Sequence, residues 1–162
     1  MSAKQIEVPQ RVLNLVYGSV AEDWHQHGNG GGWVYKTATV EESAYLHPTS
    51  IVYGNAQVSG NAWVYGDAQV SGNAWVYGNA WVYGNAWVFG DARVEKKNHC
   101  LNIVNLHYNI TITPQNAVIG CQIKSHDEWL KVTKREAILM GLPADKFQLF
   151  KLLLKTLIKE VK

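Results

Sequence analysis

The residues of this 162-residue chain best suited to chemistry are aromatic. Trp63 and Tyr65, then Trp81 and Tyr83, alternate with small and aliphatic neighbours, and Tyr45 and His47 hold the same places in an earlier unit. Flat π-faces of this kind stack on nucleobases or sugar rings. They also suit subunit interfaces, and ladders of them stabilise adjacent strands. A stacked nucleotide needs a cation for its phosphate, and Arg93 is the only basic residue between Lys36 and Lys96. Nucleotide binding therefore predicts a site near an end of the repeat, within reach of Arg93, Lys96, Lys97 or the C-terminal lysines. A neutral sugar needs no such cation. His47, beside Tyr45 and just before Pro48, is the only histidine inside the well-formed repeat. A general base requires an orienting partner and an oxyanion donor, and spacing identifies neither for His47.

Other reactive types are present in weaker settings. Gly28-Asn29-Gly30-Gly31-Gly32 follows Trp24-His25-Gln26-His27, but it lacks the Gly-Lys-Ser/Thr ending of a phosphate loop. The reading preferred here is a flexible turn that feeds the first repeat. His25 and His27 are spaced to chelate a metal, yet no third ligand lies nearby, so no metal or cofactor is assigned. Cys121 beside Gly120 has no assignable basic partner and is expected to be a buried structural thiol. Lys151, Lys155, Lys159 and Lys162 form a basic stripe, expected to be a solvated helix face. Phosphate, an anionic ligand or a membrane surface would be its functional alternatives.

The aromatics are positioned by a six-residue repeat from Ala38 to Val94, most plainly Gly-Asn-Ala-Trp-Val-Tyr. Small residues recur at positions such as Ala44, Ser50, Ala56 and Ala62, each followed two places later by Leu46, Val52, Val58 or Val64. Residues two apart share one side of an extended segment, so Ala62 and Val64 point one way while Trp63 and Tyr65 point the other. A helix would scatter this period around its circumference and would be weakened by a glycine in every unit. Gly-Asn and Gly-Asp pairs turn corners between short strands. The outcome is a coil with an inward ladder of valines, each contributing about 1.5–3 kcal/mol when fully buried. One coil cannot close off its own core, so coils must stack.

The pattern aliphatic-x-x-x-small-x, as in Val58-Ser59-Gly60-Asn61-Ala62-Trp63, resembles the hexapeptide repeat of left-handed parallel β-helices. The resemblance implies three hexapeptides per triangular coil; the period by itself does not establish the hand. Stacking by eighteen then sorts the outward residues into three faces. Tyr45, His47, Trp63, Tyr65, Trp81 and Tyr83 form a face that is aromatic from bottom to top. Thr39, Gln57, Trp75 and Arg93 share a second, and Trp33, Ile51, Gln69 and Trp87 a third; both are mixed. The acyltransferase members of the family use a histidine base at a cleft between subunits, which here would be His47. They place Gly directly after the aliphatic residue and usually carry a protruding loop, whereas Tyr53 to Val94 has no insertion. The repeat is more similar to the Gly-Asn-Ala-x-Val-Tyr proteins of bacteriophages and prophages, whose Gly31-Gly32-Trp33-Val34 lead-in and Tyr108–Trp129 tail it also resembles.

The remainder reads as caps. Residues 1–32 form an N-terminal cap, with a short strand expected from Val8 to Tyr17; 33–100 form the solenoid. Residues 101–124 form a capping hairpin, with strands at 107–113 and 117–123. Residues 125–162 form a helical tail, opened by capping boxes at Ser125–Glu128 and Thr133–Glu136 and closed by an amphipathic helix from Ala144 onward. A net charge of +2 does not argue for long nucleic acid. Two cysteines make no disulfide framework. No apolar run is long enough to span a membrane, and a cytoplasmic location in a bacterial host cell is the expectation. The combined reading is an all-β solenoid with a C-terminal hairpin and a small helical tail. It is expected to act as a non-catalytic homotrimer holding a nucleotide-like signal or a sugar in aromatic grooves. Tyr45, His47, Trp63, Tyr65, Trp81, Tyr83, Arg93, Lys96 and Lys97 are its candidate ligand or interface residues. An acyltransferase with His47 as base, or a structural or host-protein-binding module, are the alternatives.

Overall fold

A computed structural model describes residues 7–103 and 109–161. Strands β1 (Trp24–Gln26) and β2 (Trp33–Tyr35) pair antiparallel. The repeat then supplies the two-residue strands β3 (Thr39–Val40), β4 (Tyr45–Leu46), β5 (Ile51–Val52), β6 (Gln57–Val58) and β7 (Trp63–Val64). It continues with β8 (Gln69–Val70), β9 (Trp75–Val76), β10 (Trp81–Val82), β11 (Trp87–Val88) and β12 (Arg93–Val94). These strands form three sheets, ordered β4-β7-β10, β3-β6-β9-β12 and β1-β2-β5-β8-β11. Tyr45 pairs with Trp63, and Trp63 with Trp81, always in parallel. The chain is thus a three-faced parallel β-solenoid whose coil is eighteen residues long.

Above the first corner, where Ala38 and Val40 are only partly buried, the inward side chains of the stack are sealed. Leu46, Val52, Val58, Val64, Val70, Val76, Val82, Val88 and Val94 are buried, with the intervening alanines filling the corners of the same core. Cys100 continues this ladder; burial pushes its thiol up to about 12, so it stays protonated at neutral pH. Corners need glycine because they use the left-handed region: Gly66 has φ 71°, and a Cβ there would meet the Gly84 carbonyl oxygen at 3.0 Å. The first coil lacks Gly-Asn corners and solves the problem differently. Thr37, Ser43 and Thr49 stand where later units carry Asn or Asp, and their hydroxyls donate to the carbonyls of Gly54, Gly60 and Gly66 in the coil above.

The lower end departs from expectation. Residues 10–13 form a one-turn helix, α1 (Gln10–Leu13), where a strand was expected between Val8 and Tyr17. Val8, Val12 and Val16 recur at helical spacing, and Val8 and Val12 are buried against Trp24, Trp33 and Ile51. The glycine run turns at residues 28–30, as expected, and Gly30 and Gly32 pack closely against the first coil as a plug. Gly32 N donates to Leu46 O at 3.1 Å, and Leu46 N donates to Asn29 O at 3.0 Å, which closes the open edge of β4. A Cβ on Gly30 would lie 2.1 Å from Leu46 O. Gly31 N donates to His27 O at 3.0 Å. The Gly31 and Gly32 amides are therefore committed within the chain.

The upper end is closed by an antiparallel sheet of β13 (Leu101–Ile103), β14 (Ile110–Ile112), β15 (Asn116–Ile119) and β16 (Gln122–Ser125). The stretch expected as one strand over 117–123 is broken by Gly120 (φ 60°) into β15 and β16. Cys121 sits at that turn and is exposed, which corrects the expectation of a buried thiol. His107, Tyr108 and Lys162 lie outside the described residues. Side chains of the cap satisfy amides that a further coil would otherwise take. Trp87 N donates to Thr111 Oγ1 (3.0 Å) and Arg93 N to Gln115 Oε1 (2.7 Å).

Helices α2 (His126–Lys131), α3 (Lys134–Leu139) and α4 (Phe147–Glu160) pack on this sheet through Trp129, Ala137, Phe150, Leu154 and Ile158. Both capping boxes form: Ser125 pairs reciprocally with Glu128, and Thr133 with Glu136. Their hydroxyl and backbone hydrogen bonds hold both glutamates below the ordinary carboxylate range. Lys151 is not merely solvated. Its ammonium donates to the carbonyls of Trp129, Leu130 and Val132, satisfying the end of α2.

The two glycines of the plug separate backbone strain from steric blockage. Gly31→Ala, with φ 83° and open space around the new methyl, should cost about 1–2 kcal/mol. Gly30→Ala should cost more, about 3 kcal/mol or above, as measured by chemical denaturation. Alkylation of the native protein followed by mass spectrometry should label Cys121 and leave Cys100 unmodified until the chain is unfolded.

Candidate ligand groove

The face built by β4, β7 and β10 carries its rings outward because Leu46, Val64 and Val82 occupy the inward positions. Trp63, Tyr65, Trp81 and Tyr83 are each about half exposed, at 47, 50, 41 and 45%. Trp63 and Trp81 stack across one coil, with centroids 6.0 Å apart and planes at 25°. Tyr45 tilts against Trp63 at 5.2 Å, and His47 against Tyr65 at 4.4 Å. The rings therefore brace one another along the solenoid axis. Pairs of this kind gain about 0.5–1.5 kcal/mol beyond the area they bury.

A groove of about 540 Å³ runs along the upper half of this face, lined by Trp63, Tyr65, Trp81, Val82, Tyr83 and Lys97. Lys97 opens a short 3-10 turn, Lys97–His99, that packs over β10 and β12 as the repeat ends. Its Nζ lies 3.8 Å from the centroid of the Trp81 ring. Glu95 N donates to His99 Nδ1 at 3.3 Å, which ties the turn to the last coil. Burial, then the nearby Lys96 charge, lower the His99 pKa against the opposing pull of Glu95. The imidazole is accordingly kept neutral, with Nδ1 free to accept. The groove thus combines flat apolar walls with one exposed cation at its upper end.

The sequence-derived candidates separate in space. Trp63, Tyr65, Trp81, Tyr83 and Lys97 come together. Tyr45 and His47 lie one coil below, in contact with Trp63 and Tyr65 but outside the groove lining. Arg93 belongs to another sheet, with its guanidinium carbon 5.8 Å from the Trp75 centroid. Lys96 directly precedes the turn and is exposed, without lining the groove. Among the described residues, no three His, Cys, Asp or Glu side chains gather as a metal site. His25 is exposed, whereas His27 is buried with Nδ1 3.2 Å from Asn29 O.

His47 does have an orienting partner, invisible in the spacing. His47 Nδ1 lies 2.9 Å from Thr49 Oγ1 and accepts from the Thr49 amide at 3.4 Å, while the Thr49 hydroxyl donates to Gly66 O at 2.7 Å, so Thr49 holds the ring in place. The neighbouring amides offer little to an oxyanion, since His47 N donates to Val64 O and Ser50 N to His47 O.

A family model described as the YdcK beta solenoid repeat matches residues 52–66, 56–72 and 68–84. These matches fall inside the coils and identify the hexapeptide unit as a β-solenoid repeat. No curated protein and no solved structure gives a significant match to the chain. No helix among the described residues is long and apolar enough to cross a membrane.

Two measurements probe the groove's upper end. Lys97→Ala should lower stability by about 0.5–1 kcal/mol, and Lys97→Arg should largely restore it. The depressed His99 pKa implies stabilisation that is present above the ordinary histidine value and fades as pH falls through the folded value. An NMR titration should therefore give His99 a midpoint below about 6.5. A midpoint at or above that value would contradict the partly buried, accepting imidazole.

Proposed function

We propose that this chain is a non-catalytic binding protein whose aromatic groove holds a small ligand with a flat ring and an anionic group, a nucleotide being the preferred form. The observation that carries the reading is the Lys97 ammonium, 3.8 Å above Trp81 at the end of a groove walled by Trp63, Tyr65 and Tyr83. A base stacked on such a platform gains about 1–3 kcal/mol. Lys97, on its flexible stem, is placed to exchange its contact with the ring for one with a phosphate. The groove is open along one side, and a second copy of the chain would close it. We take the working assembly to be a homotrimer in which each aromatic face meets a neighbour. In a phage or prophage setting, such as the repeat resembles, this would sequester a nucleotide signal of the host.

One observation favours a second reading, acyl transfer with His47 as base: Thr49 holds the imidazole through both its hydroxyl and its amide. The committed amides around it and its position one coil below the groove count against it.

Calorimetric titration of cyclic and linear nucleotides at two salt concentrations tests the main reading. Binding should weaken with added salt, fall by tenfold or more in Trp81→Ala, and fall in Lys97→Ala, but stay within tenfold in His47→Ala. Ten-fold corresponds to roughly 1.4 kcal/mol. No heat with any nucleotide would refute it. Acyl-CoA turnover that disappears in His47→Ala would establish the alternative. For the assembly, light scattering should show a trimer that dissociates when Trp63 and Trp81 are both replaced by Glu, and a wild-type monomer would refute it.

A further inference from the structure

The sheet β3-β6-β9-β12 carries a second, separate platform. Trp75 is 41% exposed on a face whose other outward residues are polar. Strand register places Gln57 directly below it and Arg93 directly above. Tyr77 leans beside the indole, 5.3 Å away at 45°, so the two rings form a shallow angled wall. Glu95, next after β12, lies against the Gly78 corner that follows Tyr77. At the preceding corner the Asn73 amide donates to Asp91 at 3.2 Å. Arg93 makes no ion pair among the described residues; its guanidinium rests over the Trp75 ring.

We propose that Trp75 and its surround are a saccharide-binding site, taking one pyranose unit stacked on the indole. The charge pattern selects this class. Asp91 and Glu95 flank Arg93, so a phosphate would meet one cation and two carboxylates within the same patch. An apolar partner would have to strip water from the amide, the guanidinium and both carboxylates without replacing it. A sugar ring avoids both costs. Its C–H face takes the place of the Arg93 guanidinium over the indole, while its peripheral hydroxyls both donate and accept. They can therefore serve Gln57, Arg93 and Glu95 together. The register agrees: adjacent coils are about 4.8 Å apart, so the Gln57 and Arg93 backbones stand one coil spacing below and above that of Trp75. This is a span that a pyranose and its hydroxyls bridge.

The platform differs in kind from the Lys97 groove, which lies on another sheet and has no carboxylate in its lining. A single tryptophan on the sheet allows one sugar subsite per chain, so affinity should be weak, about millimolar.

Saturation-transfer NMR with cellotriose, maltotriose and N-acetylchitotriose tests the proposal on the full chain. At least one of these should receive saturation on its ring C–H protons. The effect should fall fivefold or more in Trp75→Ala, and persist, reduced, in Trp75→Phe and Gln57→Ala. It should be unchanged in Trp81→Ala. Circular dichroism would establish that each variant keeps its β-solenoid signature. Transfer to none of the three sugars would overturn the assignment, as would transfer that survives Trp75→Ala or is lost in Trp81→Ala. The nucleotide titration reads the other groove, so either site can fail without the other.

Discussion

Val64 and Val82 lie one coil apart, both without solvent exposure, while the main chain between them runs in parallel register. That pairing of an inward aliphatic ladder with a coil of fixed length is the constraint on which the molecule depends. A one-residue slip would send the valines to solvent and the tryptophans into a core too narrow for them. The outward position of Trp63, Trp75 and Trp81 is therefore a consequence of the core. Their stacking across coils follows from the same register, because equivalent residues must arrive above one another.

A solenoid has two open ends, and both are closed with side chains and glycines that have no place in the repeat. At the lower end Gly30 and Gly32 come so close to Leu46 that no side chain fits at either position. At the upper end Thr111, Gln115 and His99 accept amide protons that another coil would have taken. The 3-10 turn that includes His99 also delivers Lys97 to Trp81. Ending the solenoid and building its cation-topped groove are thus the work of one short segment.

The coils were legible in the sequence because a two-residue alternation inside a six-residue period leaves no other arrangement for Ala, Val and the corner glycines. The three faces and their residues followed from the same arithmetic once a coil of three units was adopted. What lay beyond the repeat was harder to read, since there the outcome depends on contacts rather than period. Val8, Val12 and Val16 fit a helix as well as a strand until Trp24 and Ile51 are placed against them. Gly120 reads as a residue within a strand until its positive φ splits β15 from β16 and exposes Cys121. Lys97, Lys96 and Arg93 are close in sequence, yet the corner after β12 assigns Lys97 and Arg93 to different faces. Lys151 reads as surface charge until α2 ends beneath it.

The central claim is that the aromatic face with Lys97 at its end is a ligand site completed by neighbouring copies. Native mass spectrometry of protein freshly purified from cells reports both parts at once. The account predicts the mass of three chains plus a retained small molecule of nucleotide size, released when Lys97 is replaced by Ala. A single chain of unmodified mass, with nothing retained, would contradict it.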